Sequence, residues 1–251
     1  MKTVYTRSAG LTETENHYCP GCTHGIIHKL VAESLVELHQ LGNTIGCAAV
    51  GCSILSYNYF HIDMIESAHG RAPAVATGVK RVHPDKTVFT YQGDGDLASI
   101  GTSEIVHAAH RGEKITTIFV NNAIYGMTGG QMAPTTLLNQ KTTTAPEGRS
   151  EAHSGMPLKI SEMLAQVPSS ALIQRVSVHS PKAVRHAKKA IKKAFSYQLE
   201  GLGFTLIEVL STCPTGWGMS PVEALQWLED NMIAYFPLGV FKDIKESCND
   251  N

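Results

Sequence analysis

Apolar residues recur along the chain in blocks of two alternating periods. From Thr23 to Leu41, Ile26, Ile27, Leu30, Val31, Val36, Leu38 and Leu41 fall mostly three or four apart, with His28, Lys29, Glu33 and Glu37 between them. That spacing predicts an amphipathic helix. Thr44 to Cys52 is small and apolar and predicts a buried strand running into a glycine turn; Ala72 to Val82 predicts a helix stopped by Pro84. The clearest run follows, with Thr87 to Gln92 as a strand, Leu97 to Arg111 as a helix and Ile115 to Val120 as a strand. From Ala123 to Gly155 the chain is rich in Gly, Thr, Pro and Gln with weak periodicity, long for a passive connection, which predicts a functional loop. Regularity returns with a strand near Ala171 to Val178, a helix from Pro181 to Gln198 capped by Ser180, a strand from Thr205 to Leu210 and a last helix from Pro221 to Asn231 capped by Ser220.

Alternating strands and helices predict an α/β fold with a mainly parallel sheet and helices on both faces. No repeat, low-complexity tract or linker-like break divides it, so one domain over residues 1–251 is expected. Ligands of such folds gather at the carboxyl ends of strands. Three distinctive loops, starting at Cys52, Gly93 and Asn121, follow predicted strands and point to one shared site.

Composition narrows the classes. With 43% hydrophobic and 17% charged residues in 251, the chain can bury a core without disulfides. A net charge of −1 argues against a nucleic-acid or anionic-membrane binder. The charge-free stretches 38–62 and 115–140 are broken by polar residues and do not read as membrane spans, and no secretory signal opens the chain. A cytoplasmic location is expected, where Cys19, Cys22, Cys47, Cys52, Cys213 and Cys248 stay reduced.

Gly93-Asp94-Gly95-Asp96 joins a strand to a helix, where glycines let backbone amides approach a phosphate and a helix N-terminus favours negative charge. A carboxylate there would repel a diphosphate unless a hard cation such as Mg²⁺ takes oxygen ligands from both. Asn122, at the end of the next strand, offers a second oxygen. Gly93-x-Gly95-x-x-Ala98 also satisfies a loose dinucleotide fingerprint, but the following strand ends in Asn121-Asn122 rather than an acid for the ribose. A glycine turn with a helix-capping Asp is the plain alternative.

Cys19-Pro20-Gly21-Cys22, directly ahead of a helix, fits a redox dithiol, half of a zinc site or half of an iron–sulfur site. Spacing alone leaves these open. Gly46-Cys47 and Gly51-Cys52 look alike as sources of a further ligand. His69-Gly70-Arg71 offers an imidazole and a cation near an anionic ligand, unless Arg71 pairs with a local acid such as Glu66. The basic run Lys182, Arg185, Lys188, Lys189, Lys192 and Lys193 reads as a solvated helix face.

The run GDGDLASIGTSEIVHAAHRGEKITTIFVNNAIYGMTGGQ, with YCPGC, HGRAPAVATGVK and STCPTGWGMSPVEA, resembles the β subunits of 2-oxoacid:ferredoxin oxidoreductases. It looks nearest to those acting on branched-chain 2-oxoacids such as 2-oxoisovalerate, with 2-oxoglutarate and pyruvate types as alternatives. The resemblance implies a three-layer thiamin diphosphate-binding fold. It implies that Asp94, Asn122 and the Ile124 carbonyl bind Mg²⁺. Gly51, Cys52, Ser53, His69, Gly93, Gly95, Asp96, Tyr125, Gly126, Met127 and Thr128 would surround the cofactor. Cys19, Cys22, Cys52 and Cys213 would hold a [4Fe-4S] cluster, Cys52 being preferred to Cys47 for its distance from His69, with Cys47 an inert buried thiol and Cys248 a tail residue. The implied reaction is coenzyme A-dependent oxidative decarboxylation. Its activating glutamate is expected on an α subunit carrying the pyrimidine-binding domain; a small ferredoxin-like subunit and ferredoxin are the further implied partners. A zinc or redox module without thiamin chemistry is the competing class.

Overall fold

The computed structural model describes residues 5–247. In chain order it contains α1 (His24–Glu37), β1 (Thr44–Ala48), β2 (Asp63–Glu66), α2 (Ala72–Val82), β3 (Thr87–Gly93), α3 (Thr102–His110) and β4 (Thr116–Asn121). After a long loop come α4 (Glu151–Ser154), α5 (Ile160–Ala165), β5 (Ser170–Ser177), α6 (Pro181–Leu199) and β6 (Phe204–Leu210). The chain ends with α7 (Pro214–Trp217), α8 (Pro221–Trp227), α9 (Ile233–Tyr235), β7 (Gly239–Asp243) and α10 (Ile244–Ser247). Cys248 lies outside the described residues.

One seven-stranded sheet runs β2-β1-β3-β4-β6-β5-β7, parallel throughout except for the antiparallel β5–β7 pair. Successive strand residues point to opposite faces. Phe89, Tyr91, Ile118, Val120 and Ile207 join one core with residues of α1 and α6. Val88, Phe119, Ile173 and Leu206 join the other, with residues of α2, α3 and α5. Burial on both sides explains why the strands read as near-continuous apolar runs. Ser180 accepts from Ala183 N as the cap of α6, and Ser220 with Glu223 forms a capping box on α8.

Two expected elements change. The helix over 97–111 is interrupted, since Asp96–Ile100 forms a wide π-turn closed by Gly101 N to Asp96 O before α3 begins. Gly101 then lies against Gly70, where a side chain at either position would collide with the other's backbone. The last helix is likewise cut at Trp227 and continued by a π-turn over Leu228–Met232.

The basic face of α6 is partly consumed by packing. Lys188 pairs with Glu33 and Glu37 at 2.7 Å each, Lys192 with Glu37 at 2.8 Å, and Lys193 with Asp243 and Glu246. The opposing acids of α1 were visible in the sequence, but their position against α6 was not. No helix among the described residues is long and apolar enough to cross a membrane.

Candidate functional site

The sheet order reverses between β1 and β3, so the loops after these strands part to opposite sides and leave a crevice at their carboxyl ends. A cavity of about 120 Å³ fills it. Gly51, Cys52, Ser53, His69, Gly93, Asp94, Gly95, Asp96, Asn122, Tyr125, Gly126, Met127 and Thr128 all line this one cavity, with His24, Val50 and Ile124. The turn after β1, the loop leading to α2, the turn after β3 and the loop after β4 thus meet. Cys19, Cys22 and Cys213 lie outside its wall.

Asp94 is buried, and its two oxygens are used differently. Oδ2 accepts from Ile124 N (3.2 Å) and Thr135 Oγ1 (2.5 Å), while Oδ1 accepts from Gly95 N (2.9 Å). Burial pushes its carboxyl up to about 6 despite these donors. One Asn122 amide atom lies 3.2 Å from Asp94 Oδ1 and 2.8 Å from Ile124 O. As nitrogen that atom donates to both; as oxygen it closes a triangle of three oxygens. Ligand oxygens about 2.1 Å from Mg²⁺ at right angles lie about 3.0 Å apart, close to the two separations from the Asn122 atom. Asp94, Asn122 and the Ile124 carbonyl can therefore hold such a cation.

The turn that presents these groups is itself held. Ala123 adopts φ +57°, uncommon for a residue with a side chain, and Asn121 Oδ1 accepts its N–H at 3.1 Å. The Asn121 amide donates to buried Glu208 at 2.8 Å, and Glu208 meets Arg175 Nε at 2.8 Å. Trp217 Nε1 donates to Asn122 O at 3.0 Å. Gly95 lets the Tyr125 ring lie against the backbone, where a Cβ would force the ring to move.

Asp96 lines the cavity but has both oxygens engaged. Oδ1 accepts from Gly70 N and meets His69 Nδ1, each at 2.6 Å, and Oδ2 accepts from Gln92 Nε2 at 2.7 Å. It ties the turn after β3 to the loop ahead of α2 and orients His69. Arg71 pairs with Glu104 of α3, not with Glu66, and is absent from the cavity wall.

Beyond burial, Cys52 and Cys19 raise the Cys22 thiol, Cys19 and Asp94 raise Cys52, and Cys22, Cys52 and Asp94 raise Cys213, each by charge repulsion. Burial is the larger cause, taking Cys22 to about 11 and Cys213 to about 12 and raising Cys52. Gly126 separates Cys213 from Cys52; a Cβ on it would stand 3.1 Å and 3.7 Å from their sulfurs. Thr23 Oγ1 meets Ser211 Oγ at 2.6 Å and Thr212 Oγ1 donates to Gly21 O at 2.7 Å, stitching the Cys19–Cys22 turn to the loop carrying Cys213. Cys47 stands apart within β1, raised to about 12 by burial alone. Among the described residues, no three His, Cys, Asp or Glu side chains close around a single ion.

Three contributors escaped the sequence reading. His24 lines the cavity with Nδ1 2.7 Å from the Tyr91 hydroxyl, and burial pulls it down to about 3. Its place directly after the Cys19–Cys22 turn was the available signal. Thr135 and Arg149 lie in the aperiodic loop, where nothing distinguishes them from their neighbours.

Residues 44–209 match the thiamine pyrophosphate enzyme, C-terminal TPP binding domain. Ketoisovalerate oxidoreductase subunit VorA of Methanothermobacter thermautotrophicus is 46% identical over 96% of this chain and 50% of its own length, so the chain spans half of that relative. The 2-oxoglutarate synthase subunit KorB of Methanocaldococcus jannaschii is 35% identical over 91% of this chain and 82% of its own. A structure of 2-oxoglutarate:ferredoxin oxidoreductase from Magnetococcus marinus, with 2-oxoglutarate, coenzyme A and succinyl-CoA bound, superposes with a TM-score of 0.78 at 24% identity. The superposition covers 96% of this chain and 85% of that one, a likeness of fold.

Proposed function

The chain belongs to the thiamine pyrophosphate enzymes and, within them, to the β-type subunits of 2-oxoacid:ferredoxin oxidoreductases, and we propose that its cavity binds thiamin diphosphate through Mg²⁺ beside a [4Fe-4S] cluster. The observation that carries this reading is the convergence of Asp94 Oδ1, the Asn122 amide and the Ile124 carbonyl at the ends of β3 and β4. Those three groups hold Mg²⁺, the amides around Gly93, Gly95 and Gly126 to Thr128 receive the diphosphate, and Cys19, Cys22, Cys52 and Cys213 hold the cluster. When bound, thiamin diphosphate supplies the electron sink for decarboxylating a 2-oxoacid and the cluster accepts the electrons.

The protein's own part is positioning and charge. Asp94 carries a burial penalty that a cation relieves, and its orientation is set before the cation arrives. Asp96 engages His69 Nδ1, so the other ring nitrogen remains for the ligand side. A coordinated thiol loses its proton, so ligation to iron must outweigh the burial that disfavours the free thiolates.

The whole activity is coenzyme A-dependent oxidative decarboxylation with ferredoxin as acceptor, by a single-domain cytoplasmic subunit. It requires an α subunit carrying the pyrimidine-binding domain and the activating glutamate, together with a small ferredoxin-like subunit. Identity to VorA at 46% against 35% to KorB favours a branched-chain substrate such as 2-oxoisovalerate over 2-oxoglutarate or pyruvate.

Anaerobic purification followed by iron and acid-labile sulfide analysis tests the cluster, and Mg²⁺-dependent binding of thiamin diphosphate tests the triangle. Zinc without sulfide, or no Mg²⁺-dependent binding, refutes the reading. The reconstituted complex is expected to turn over 2-oxoisovalerate faster than the other two acids. The purified chain alone is expected to be inactive, and turnover by it would remove the requirement for a partner.

A further inference from the structure

Within the long loop after β4, Thr135 is fully buried and 41 residues from Asp94, yet its hydroxyl donates to Asp94 Oδ2 at 2.5 Å. Ile124 N donates to the same oxygen at 3.2 Å. Oδ2 therefore accepts from both Thr135 and Ile124, whereas Oδ1 accepts from Gly95 N and faces the Asn122 amide.

The turn around Thr135 is gripped by one side chain. Arg149 is buried and pairs with no carboxylate among the described residues; its guanidinium donates only to backbone carbonyls. Nη1 reaches Ala133 O (3.1 Å), Pro134 O (2.9 Å) and Thr136 O (3.0 Å), the carbonyls on both sides of Thr135. Nη2 and Nε reach Ser154 O, Met156 O and Gly155 O between 2.9 and 3.0 Å, binding the far end of the loop to the near end. Thr136 completes the anchorage, donating its hydroxyl to Ala123 O at 2.7 Å. Only a planar fork with donors in several directions can serve carbonyls on two segments at once.

We propose that Thr135 and Arg149 are positioning residues for the divalent cation: Thr135 occupies Asp94 Oδ2 so that the cation meets Oδ1 alone, and Arg149 holds Thr135 in register. The proposal rests on the reading of the cavity as a cation site. Its physical content is selection of one-oxygen ligation, because a carboxylate with one oxygen saturated by donors cannot swing to chelate.

The test is Mn²⁺ binding to the full chain, purified anaerobically, in the presence of thiamin diphosphate, followed by electron paramagnetic resonance and set beside each variant's melting temperature. Thr135→Val is expected to weaken Mn²⁺ binding about 10-fold, and Thr135→Ser, which keeps the hydroxyl, to restore it. Arg149→Lys and Arg149→Met are expected to weaken it similarly. Thr135→Val with Arg149→Met is expected to be no weaker than Thr135→Val alone, since both act through one hydrogen bond. Should Arg149→Met fail to fold, Arg149→Lys decides its part. Unchanged Mn²⁺ affinity in Thr135→Val overturns the proposal, as does an Arg149 effect confined to melting temperature. Wild-type chain that takes up no Mn²⁺ overturns the reading of the cavity itself.

Discussion

Arg175 sits fully buried between the rings of Phe236 and Phe241, its guanidinium 5.2 and 4.8 Å from their centroids. Nη1 and Nη2 engage both oxygens of Glu162 at 2.9 and 2.5 Å, Nε meets Glu208 Oε2 at 2.8 Å, and Nη1 also donates to Pro237 O. Burial opposes the charge on Arg175, but the two carboxylates outweigh it and raise its pKa. Replacing Arg175 with Met leaves Glu208 buried with only Asn121 and Ser161 as donors. Breaking a buried pair from one side costs about 3–5 kcal/mol, and the lower half of that range is expected because each hydrogen bond to a charged group returns about 1.5–3 kcal/mol. Glu208→Gln is expected to cost less, since Arg175 keeps Glu162. The double variant should fall short of the sum of the two by about 1–3 kcal/mol. Urea unfolding of the four proteins measures this. Because Glu208 orients Asn121 and the strained Ala123 turn, Arg175→Met should also weaken Mg²⁺-dependent cofactor binding. Additive costs would refute the coupling, and a loss below about 1 kcal/mol for Arg175→Met would refute the expected cost of breaking the buried pair.

Three further outcomes follow from other parts of the structure. Gly70 has φ +78° and a Cβ there would stand 2.6 Å from Gly101 N, so Gly70→Ala should cost at least about 1–3 kcal/mol in chemical denaturation; a neutral result would contradict the close approach. His24 is held down at about 3 and His28 well below 6.5, each by burial, so the unfolded chain binds more protons below pH 6.5. Their contribution is therefore complete above pH 6.5 and lost as pH falls. The expected slope is about 1.4 kcal/mol per pH unit per histidine, and a flat profile from pH 6.5 to 5 would overturn it. Cys52→Ala should abolish bound iron whereas Cys47→Ala should leave it unchanged, and equal iron in both would show that Cys52 is no ligand.

Much of the fold was legible because strands β1, β3, β4 and β6 and helices α2 and α6 carry local periodicity or caps. The elements missed have physical reasons. Edge strand β2 is exposed along most of its length and has no alternation to read, and α5 is only six residues long. Edge strand β7 is only partly buried, so its apolar pattern is weak. The break at Asp96–Ile100 answers to Gly70 packing on Gly101, a contact between loops.

By itself, the amino-acid order determined the alternation of strands and helices, the glycine–aspartate turn, the paired asparagines and the loops that would share a site, because each is written within one element and its flanks. Tertiary structure alone decided that Asp96 turns inward to His69 and Gly70, and that Thr135 and Arg149 stand behind Asp94. Periodicity records which side of an element is buried, but the identity of the neighbour there depends on strand order and loop closure. Thus Cys47 and Cys52, five positions apart, end in a hydrophobic core and at the cavity wall, while Asp94 and Thr135, far apart in the chain, share a hydrogen bond.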